Sequence, residues 1–463
     1  MEAGQLHTDP SCLHLCVTLV ATMRPYSVNH SFSSRPRVLA IREPFQKTYR
    51  HIMSDSLRRN SSMLILSQAV NAAAGFLFWI ICAHLFTTTT VGFAVSIISF
   101  GTLVSSFTTL GLPNTFVRFL PTSVRKGPLF AGALSVLVIF SVIGALLSIL
   151  LVGSLVEKLR FVEHSFSISI LLCLLVVGFS ATAFMDGTLI SFRGGKYILR
   201  RALLCSGPRC LLPFILVSMG LSGIVSTYVA VLIIGLTYSI LVTTKRLMIG
   251  QSFRPSFKVL REHGRFAAGN YFGGVFAVLS GTLLPIIVLA RLGASGAAYW
   301  FMPMQIAFFL NFLSSSTSQA LVAEASQTNQ ESLQRAHFRN AAIHMYRLLI
   351  PVAALLICLG WPMLRLYGVA YAANGYLLLV ILCISSGFVG INWLGDTWLN
   401  IQRRPRAYFL MNAFNAVIVI GAVYASSSHG LVGVGLGYLL GQCISALVYL
   451  GIFARSHVRS IAR

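Results

Sequence analysis

LFAGALSVLVIFSVIGALLSILLV, residues 129–152, runs through 24 positions without a charge. As a helix rising 1.5 Å per residue it is about 36 Å long, enough to cross the roughly 30 Å hydrocarbon layer of a bilayer. Before it, comparable stretches lie at 62–86 and 92–116. After it in the first half of the chain come 167–191, 202–220 and 223–243, and the second half supplies 266–290, 297–322, 341–364, 376–400, 407–426 and 431–453. The expected fold class is therefore an all-α membrane protein of twelve transmembrane helices.

Composition agrees. Hydrophobic residues make up 56% of the 463-residue chain and charged residues 10%, well below the roughly one quarter that a water-soluble domain carries. Lysine and arginine number 35 against 11 aspartate and glutamate, a formal charge of +24. These cations lie in short runs between apolar segments rather than on one polar face, which argues against a nucleic-acid binder and for charge at an anionic membrane surface. The nine cysteines show no zinc or redox spacing. No metal, cofactor or catalytic residue is expected.

Cations also set the topology. Twelve spans place both termini on one side, and the loops on that side hold 23 basic residues. Those on the other hold four, Lys158, Arg160, Arg291 and Arg365. By the positive-inside rule this predicts cytoplasmic termini in a cell inner membrane. The domain plan that follows is a disordered cytoplasmic leader or upstream extension at 1–55 and a six-helix bundle at 56–243. A basic linker at 244–265, a second six-helix bundle at 266–454 and a tail at 455–463 complete it. Within the leader, the apolar run from Cys12 to Thr22 is too short to span.

The halves repeat one another. Leu57-Arg58-Arg59 precedes the first span and Leu260-Arg261-Glu262 the seventh. Gly178-Phe179, Asp186 and Arg193 in the fourth span return as Gly387-Phe388, Asp396 and Arg403 in the tenth, at offsets of 203 to 210. Two copies of a six-span unit share one orientation, which predicts a pseudo-two-fold axis along the membrane normal and a binding site between the halves.

Ionisable residues inside spans require a partner or a wet cavity. Asp186, Arg209, Arg347 and Asp396 are such residues, and counting from the flanking basic residues puts all four at one depth. Two readings stand: mutual pairing, with Asp186 and Arg209 as partners and the arginines snorkelling, or a cationic cavity for an anionic group. In the second, Arg209 and Arg347 bind substrate while Asp186 and Asp396 hold the arginines or couple to an ion, H+ or Na+. Gln68 and Asn71 in the first span and Asn270 in the seventh are further cavity candidates. Gln305, Asn311, Asn392, Asn412 and Asn415 are read as hydrogen bonds between helices.

The run 57–121 (LRRNSSMLILSQAVNAAAGFLFWIICAHLFTTTTVGFAVSIISFGTLVSSFTTLGLPNTFVRFLP) resembles the opening helices of the polysaccharide biosynthesis and export proteins. These are the O-antigen-flippase type of the multidrug/oligosaccharidyl-lipid/polysaccharide exporter superfamily. RLYGVAYAA (365–373), WLNIQRRPRAYFLMN (398–412) and GLVGVGLGYLLG (430–441) are similar to later landmarks of that family, in the same order. The resemblance implies two six-helix bundles around a cleft that opens alternately to either side. It implies that a polyprenyl-diphosphate-linked oligosaccharide is moved across the cytoplasmic membrane.

Two alternatives are weighed beside that expectation. A multidrug or cation antiporter of the same superfamily would want a coupling carboxylate in the outer part of the first or seventh span, where none stands. A membrane-embedded glycosyltransferase or polymerase would want paired carboxylates on a sizeable outer loop, and the outer loops offer only Glu157 and Glu163.

Overall fold

In lipid, backbone amides find no water, so each span must close its own hydrogen bonds as a helix. A computed structural model describes residues 56–255, 257–325, 330–402 and 404–461. Side chains are described there except at 56–58, 61, 257–270, 272–274, 277, 323–324, 331–332 and 454–461. The described residues contain no strand. The expected leader, the Asn270 side chain and Arg403 lie outside this set.

The first lobe contains α1 (Ser56–Leu85), α2 (Thr88–Thr108), α3 (Lys126–Leu155), α4 (Phe166–Ser191), α5 (Gly195–Ile215) and α6 (Leu221–Val242). The second begins with α7 (257–292) and α8 (294–325), the two arms of a helix broken at Gly293. It continues with α9 (Glu331–Arg365), α10 (Val369–Ile401), α11 (Pro405–Ser426) and α12 (Gly430–Ile461). Among the described residues, nine stretches are long and apolar enough to cross a membrane. Two of these nine, Val278–Val322 and Pro405–Phe453, each hold two helices. Helix α5, diluted by Lys196, Arg200, Arg201 and Arg209, completes the expected twelve.

Packing repeats between the lobes. Contacts of α1 with α5, α2 with α4, α3 with α4, α4 with α6 and α5 with α6 return as α7–α11, α8–α10, α9–α10, α10–α12 and α11–α12. Surface and interior are inverted relative to a soluble protein: Leu150 is 72%, Ile215 71% and Val417 65% exposed. Small hydroxyls fill the helix interfaces, as where Thr108 and Ser180 meet at 2.7 Å. Such contacts replace the hydrophobic drive that lipid cannot supply.

Three boundaries depart from the sequence plan. Helix α2 stops at Thr108 rather than 116, because Leu110 and Gly111 take left-handed φ values of 51° and 67° before the short helix Leu112–Phe119. The linker is shorter than 244–265, since Thr243–Leu247 forms a π turn and α7 begins at Phe257. Helix α12 continues to Ile461, through most of the expected tail. The last two share a cause: hydropathy marks the hydrocarbon edge, and a helix carrying basic residues extends past it into the headgroups.

The lobes meet at the ends poor in basic residues. Thr89 and Ser295 hydroxyls stand 3.4 Å apart. Gly92 on α2 lies flush against α8, where a Cβ would fall 1.7 Å from the carbonyl oxygen of Ala294. Only glycine permits that approach. Below it, Trp79 packs edge-on against Phe301 at 5.0 Å and Phe76 against Tyr367 at 5.3 Å.

Candidate translocation cleft

Helices α1 and α8 run antiparallel and meet at the Trp79–Phe301 contact. Trp79 and Phe301 line the walls near the apex, Asn71 and Phe309 lie farther along, and Gln68 and Phe312 farther still. The cleft therefore runs from the apex toward the basic ends. Its central part, about 370 Å³, has a first-lobe wall of α1, α5 and α6 and a second-lobe wall of α8. Gln305 and Phe308 also line a second-lobe cavity of about 520 Å³. Asn71 and Arg209 also line a first-lobe side pocket of about 230 Å³.

The side pocket holds an ion pair. Arg201 on α5 donates through Nη2 to Asp186 on α4, and its Nη1 reaches Ser239 Oγ on α6 at 3.3 Å. This corrects the expected pairing of Asp186 with Arg209. The turn between α4 and α5 falls at 192–194, so Asp186 and Arg201 stand at equal depth on either side of it. Arg209 is eight residues farther along, about 12 Å deeper. Measuring depth from Arg201, as though that residue marked the membrane edge, produced the error.

Arg209 stands in the first-lobe wall of the cleft, its guanidinium 5.3 Å from the centre of the Tyr228 ring. A cation over an aromatic face gains on the order of 1 kcal/mol. Among the described residues it has no carboxylate partner. It shares the central cavity with Gln68 and Asn71, so three of the five predicted binding residues converge, and the Asn270 side chain is outside the described set. Arg347 does not join them: it is exposed on α9 and lines none of the three cavities.

Asp396 occupies the equivalent place in the second lobe and has different company. Its Oδ1 accepts from the Tyr449 hydroxyl of α12 and, at 3.0 Å, from the Asn412 amide of α11. Asn392 donates to Gln442 Oε1 at 2.7 Å, and Ser445 donates to Asn415 Oδ1 at 3.1 Å. Asn311 and Asn392 keep amide oxygens without a partner among the described residues. The asparagines read as interhelical glue thus also line the cavity. Neutral amides, one carboxylate and aromatic faces can hold a polar or charged group on a largely apolar body.

Sequence reasoning missed Arg201, Trp79, Tyr228, Gln442 and Tyr449. On the opposite face Glu163 accepts the Gly153 amide at 2.6 Å and closes a turn.

By sequence the chain matches no family model and no characterised protein. By structure it is similar to a multidrug resistance MATE family transporter of the MOP superfamily in an inward-facing conformation. That match has a TM-score of 0.66 at 13% identity, covering 86% of this chain and 99% of that one. For an outward-facing conformation of such a transporter the TM-score is 0.58 at 12% identity, over 88% and 96% of the two chains. A MATE in a bent conformation gives 0.57 at 13%, over 90% and 98%. The fold is therefore that of the MATE transporters, twelve helices in two lobes.

Proposed function

We propose that the protein is an alternating-access exporter of amphipathic organic solutes, driven by a monovalent cation taken up at Asp396. One observation carries this reading. Two related six-helix lobes touch through Gly92–Ala294 and Trp79–Phe301 at one end and enclose a cleft toward the other. Such a pair of lobes can exchange the closed end for the open one by rocking. By the positive-inside rule the open, basic end is cytoplasmic and loads the solute. Multidrug transport, the property in the names of the structural neighbours, supports this substrate class for the chain.

The test is uptake into inverted vesicles containing the purified protein, with ethidium and a panel of amphipathic dyes, under an imposed proton or sodium gradient. The expected result is accumulation that collapses with the gradient and is lost in Asp396→Asn. Rates equal to protein-free vesicles across the panel would overturn the reading.

A second reading, translocation of a lipid-linked oligosaccharide, has Arg209 in its favour. A guanidinium in the cleft wall beside the aromatic rings of Phe308, Phe309 and Phe312 suits a diphosphate with an apolar tail. Transfer of a polyprenyl-diphosphate saccharide between leaflets, followed by lectin accessibility in vesicles inert toward dyes, distinguishes it.

A further inference from the structure

We propose that the lipid-facing edge of the first lobe, where α5 and α6 reach the basic end, binds the phosphate of an anionic phospholipid between Arg200 and Arg246, beside Tyr238. The site lies outside the cleft and does not rest on the exporter reading.

Helix α5 carries three arginines within its length, Arg200, Arg201 and Arg209, and the helical repeat sends them different ways. Arg209 lines the cleft and Arg201 turns in to Asp186. Arg200 stands nine residues before Arg209, about 900° of rotation and so on the opposite side of the helix. It is exposed. Leu204, Leu211 and Ile215 fall on its face at helical spacing and are exposed as well. That stripe is the side lipid covers. Within it Gly207 is also exposed, and a Cβ there would meet nothing within 4 Å, which leaves a gap where an acyl chain can lie.

The headgroup end of the stripe is built from two helices. Tyr197 on α5 and Tyr238 on α6 pack around Leu189, Ile198 and Val242. The Arg200 guanidinium lies against the Tyr238 hydroxyl, and Arg246 stands within electrostatic reach of the same group. Lys196 Nζ sits over the Tyr197 ring, 4.8 Å from its centre. Arg246 comes from the π turn Thr243–Leu247, closed by the Met248 amide on the Thr243 carbonyl at 2.9 Å. Such turns are frequent at functional sites. This one leaves Thr243 Oγ1 buried without a partner among the described residues.

Among the described residues no carboxylate answers these cations. Glu157 and Glu163 lie at the opposite end, Asp186 is taken by Arg201, and Asp396 is in the second lobe. Topology asks only that cations gather at one membrane face. It does not ask that arginines from two helices share one tyrosine. Like charges so placed repel until an anion lies between them. A phosphodiester is the anion that a membrane surface supplies, and guanidinium forks match it bidentately. The apolar stripe beside it selects a lipid over a soluble phosphate.

The test uses the full chain, stripped of lipid in detergent, and phosphatidylglycerol with a photoreactive group beside its phosphate. The expected result is label on 196–204 and 238–247, displaced by unlabelled phosphatidylglycerol and not by phosphatidylcholine or inorganic phosphate. Each surface cation is worth about fivefold in binding, so Arg200→Gln with Arg246→Gln should cut the labelling about tenfold or more. Should that pair fail to fold, Arg200→Gln alone should cut it about fivefold. Arg404→Gln with Arg406→Gln removes the same charge from exposed positions at the basic end of the second lobe and should change it less than about twofold. Equal losses in the two pairs overturn the site in favour of diffuse surface charge. Displacement by phosphatidylcholine overturns the recognition of charge, and displacement by inorganic phosphate overturns the lipid in favour of a soluble anion. Labelling that survives the loss of both Arg200 and Arg246 overturns the proposal outright.

Discussion

Asp186 and Asp396 occupy equivalent positions in the two lobes, 210 residues apart, and only Asp186 has a guanidinium against it. Where Arg201 meets Asp186 in the first lobe, the second lobe presents the Asn412 amide to Asp396. One carboxylate meets a cation and the other, among the described residues, meets only neutral donors.

The two should therefore respond to mutation in different currencies. Asp186→Ala strands the Arg201 guanidinium, 11% exposed, in the interior. Breaking a buried pair costs about 3–5 kcal/mol, and the lower end applies because Asp186 is 37% exposed. Thermal unfolding in detergent should show the loss, and the double change Asp186→Leu with Arg201→Met should recover most of it. Asp396→Asn should leave the unfolding temperature within a few degrees of wild type while abolishing gradient-driven transport.

Arg209 should matter to substrate choice and little to stability. Arg209→Ala removes a cation that has no carboxylate partner among the described residues, so the unfolding temperature should hold. Transport of anionic amphipaths should fall at least tenfold, with Arg209→Lys intermediate because a point charge replaces the planar fork. Uptake of cationic dyes should be unchanged or faster. Equal losses for anions and cations would assign the residue to packing over Tyr228.

Closing the apex covalently should stop turnover. Thr89→Cys with Ser295→Cys places two thiols where hydroxyls now stand 3.4 Å apart. Oxidation should trap the lobes together at that end and arrest transport, and a reductant should restore it. Transport that continues in the oxidised pair would mean this end never opens.

Forcing the apex apart should have the opposite effect on conformation. Gly92→Val puts two methyl groups into the Ala294 backbone. Spin-label distances across the basic ends should shorten as the lobes rock away from the crowded apex. An unchanged distribution would show that α2 and α8 separate without movement of the lobes.

Much of the fold was legible from the chain alone, because lipid permits few solutions: runs such as 129–152 must be helices, and cation counts in alternate loops leave little freedom in their number. The repeat around Asp186 and Asp396 was legible too, and with it the two-lobe plan. Less could be read where a helix outlives its apolar core, as at Phe257 and Ile461. Depth inside the membrane was misjudged where a turn is not marked by its charges, which is why Arg201, rather than Arg209, meets Asp186. Arg347 was indistinguishable from Arg209 in sequence, since both are single cations in apolar helices, and only packing puts one in a cavity wall and leaves the other exposed on α9. Tyr449 carried no signal, because one tyrosine in a buried helix looks like any other.

While it stays closed, the backbone contact of Gly92 with Ala294 also sets the mechanics of motion at the opposite end. A hinge at one membrane face makes each lobe a lever nearly as long as the bilayer is thick, about 30 Å. A tilt of about 10° at such a hinge displaces the far ends by roughly 5 Å across that span. Small rearrangements near the pivot then become large openings at the opposite face, and each helix in between can stay rigid.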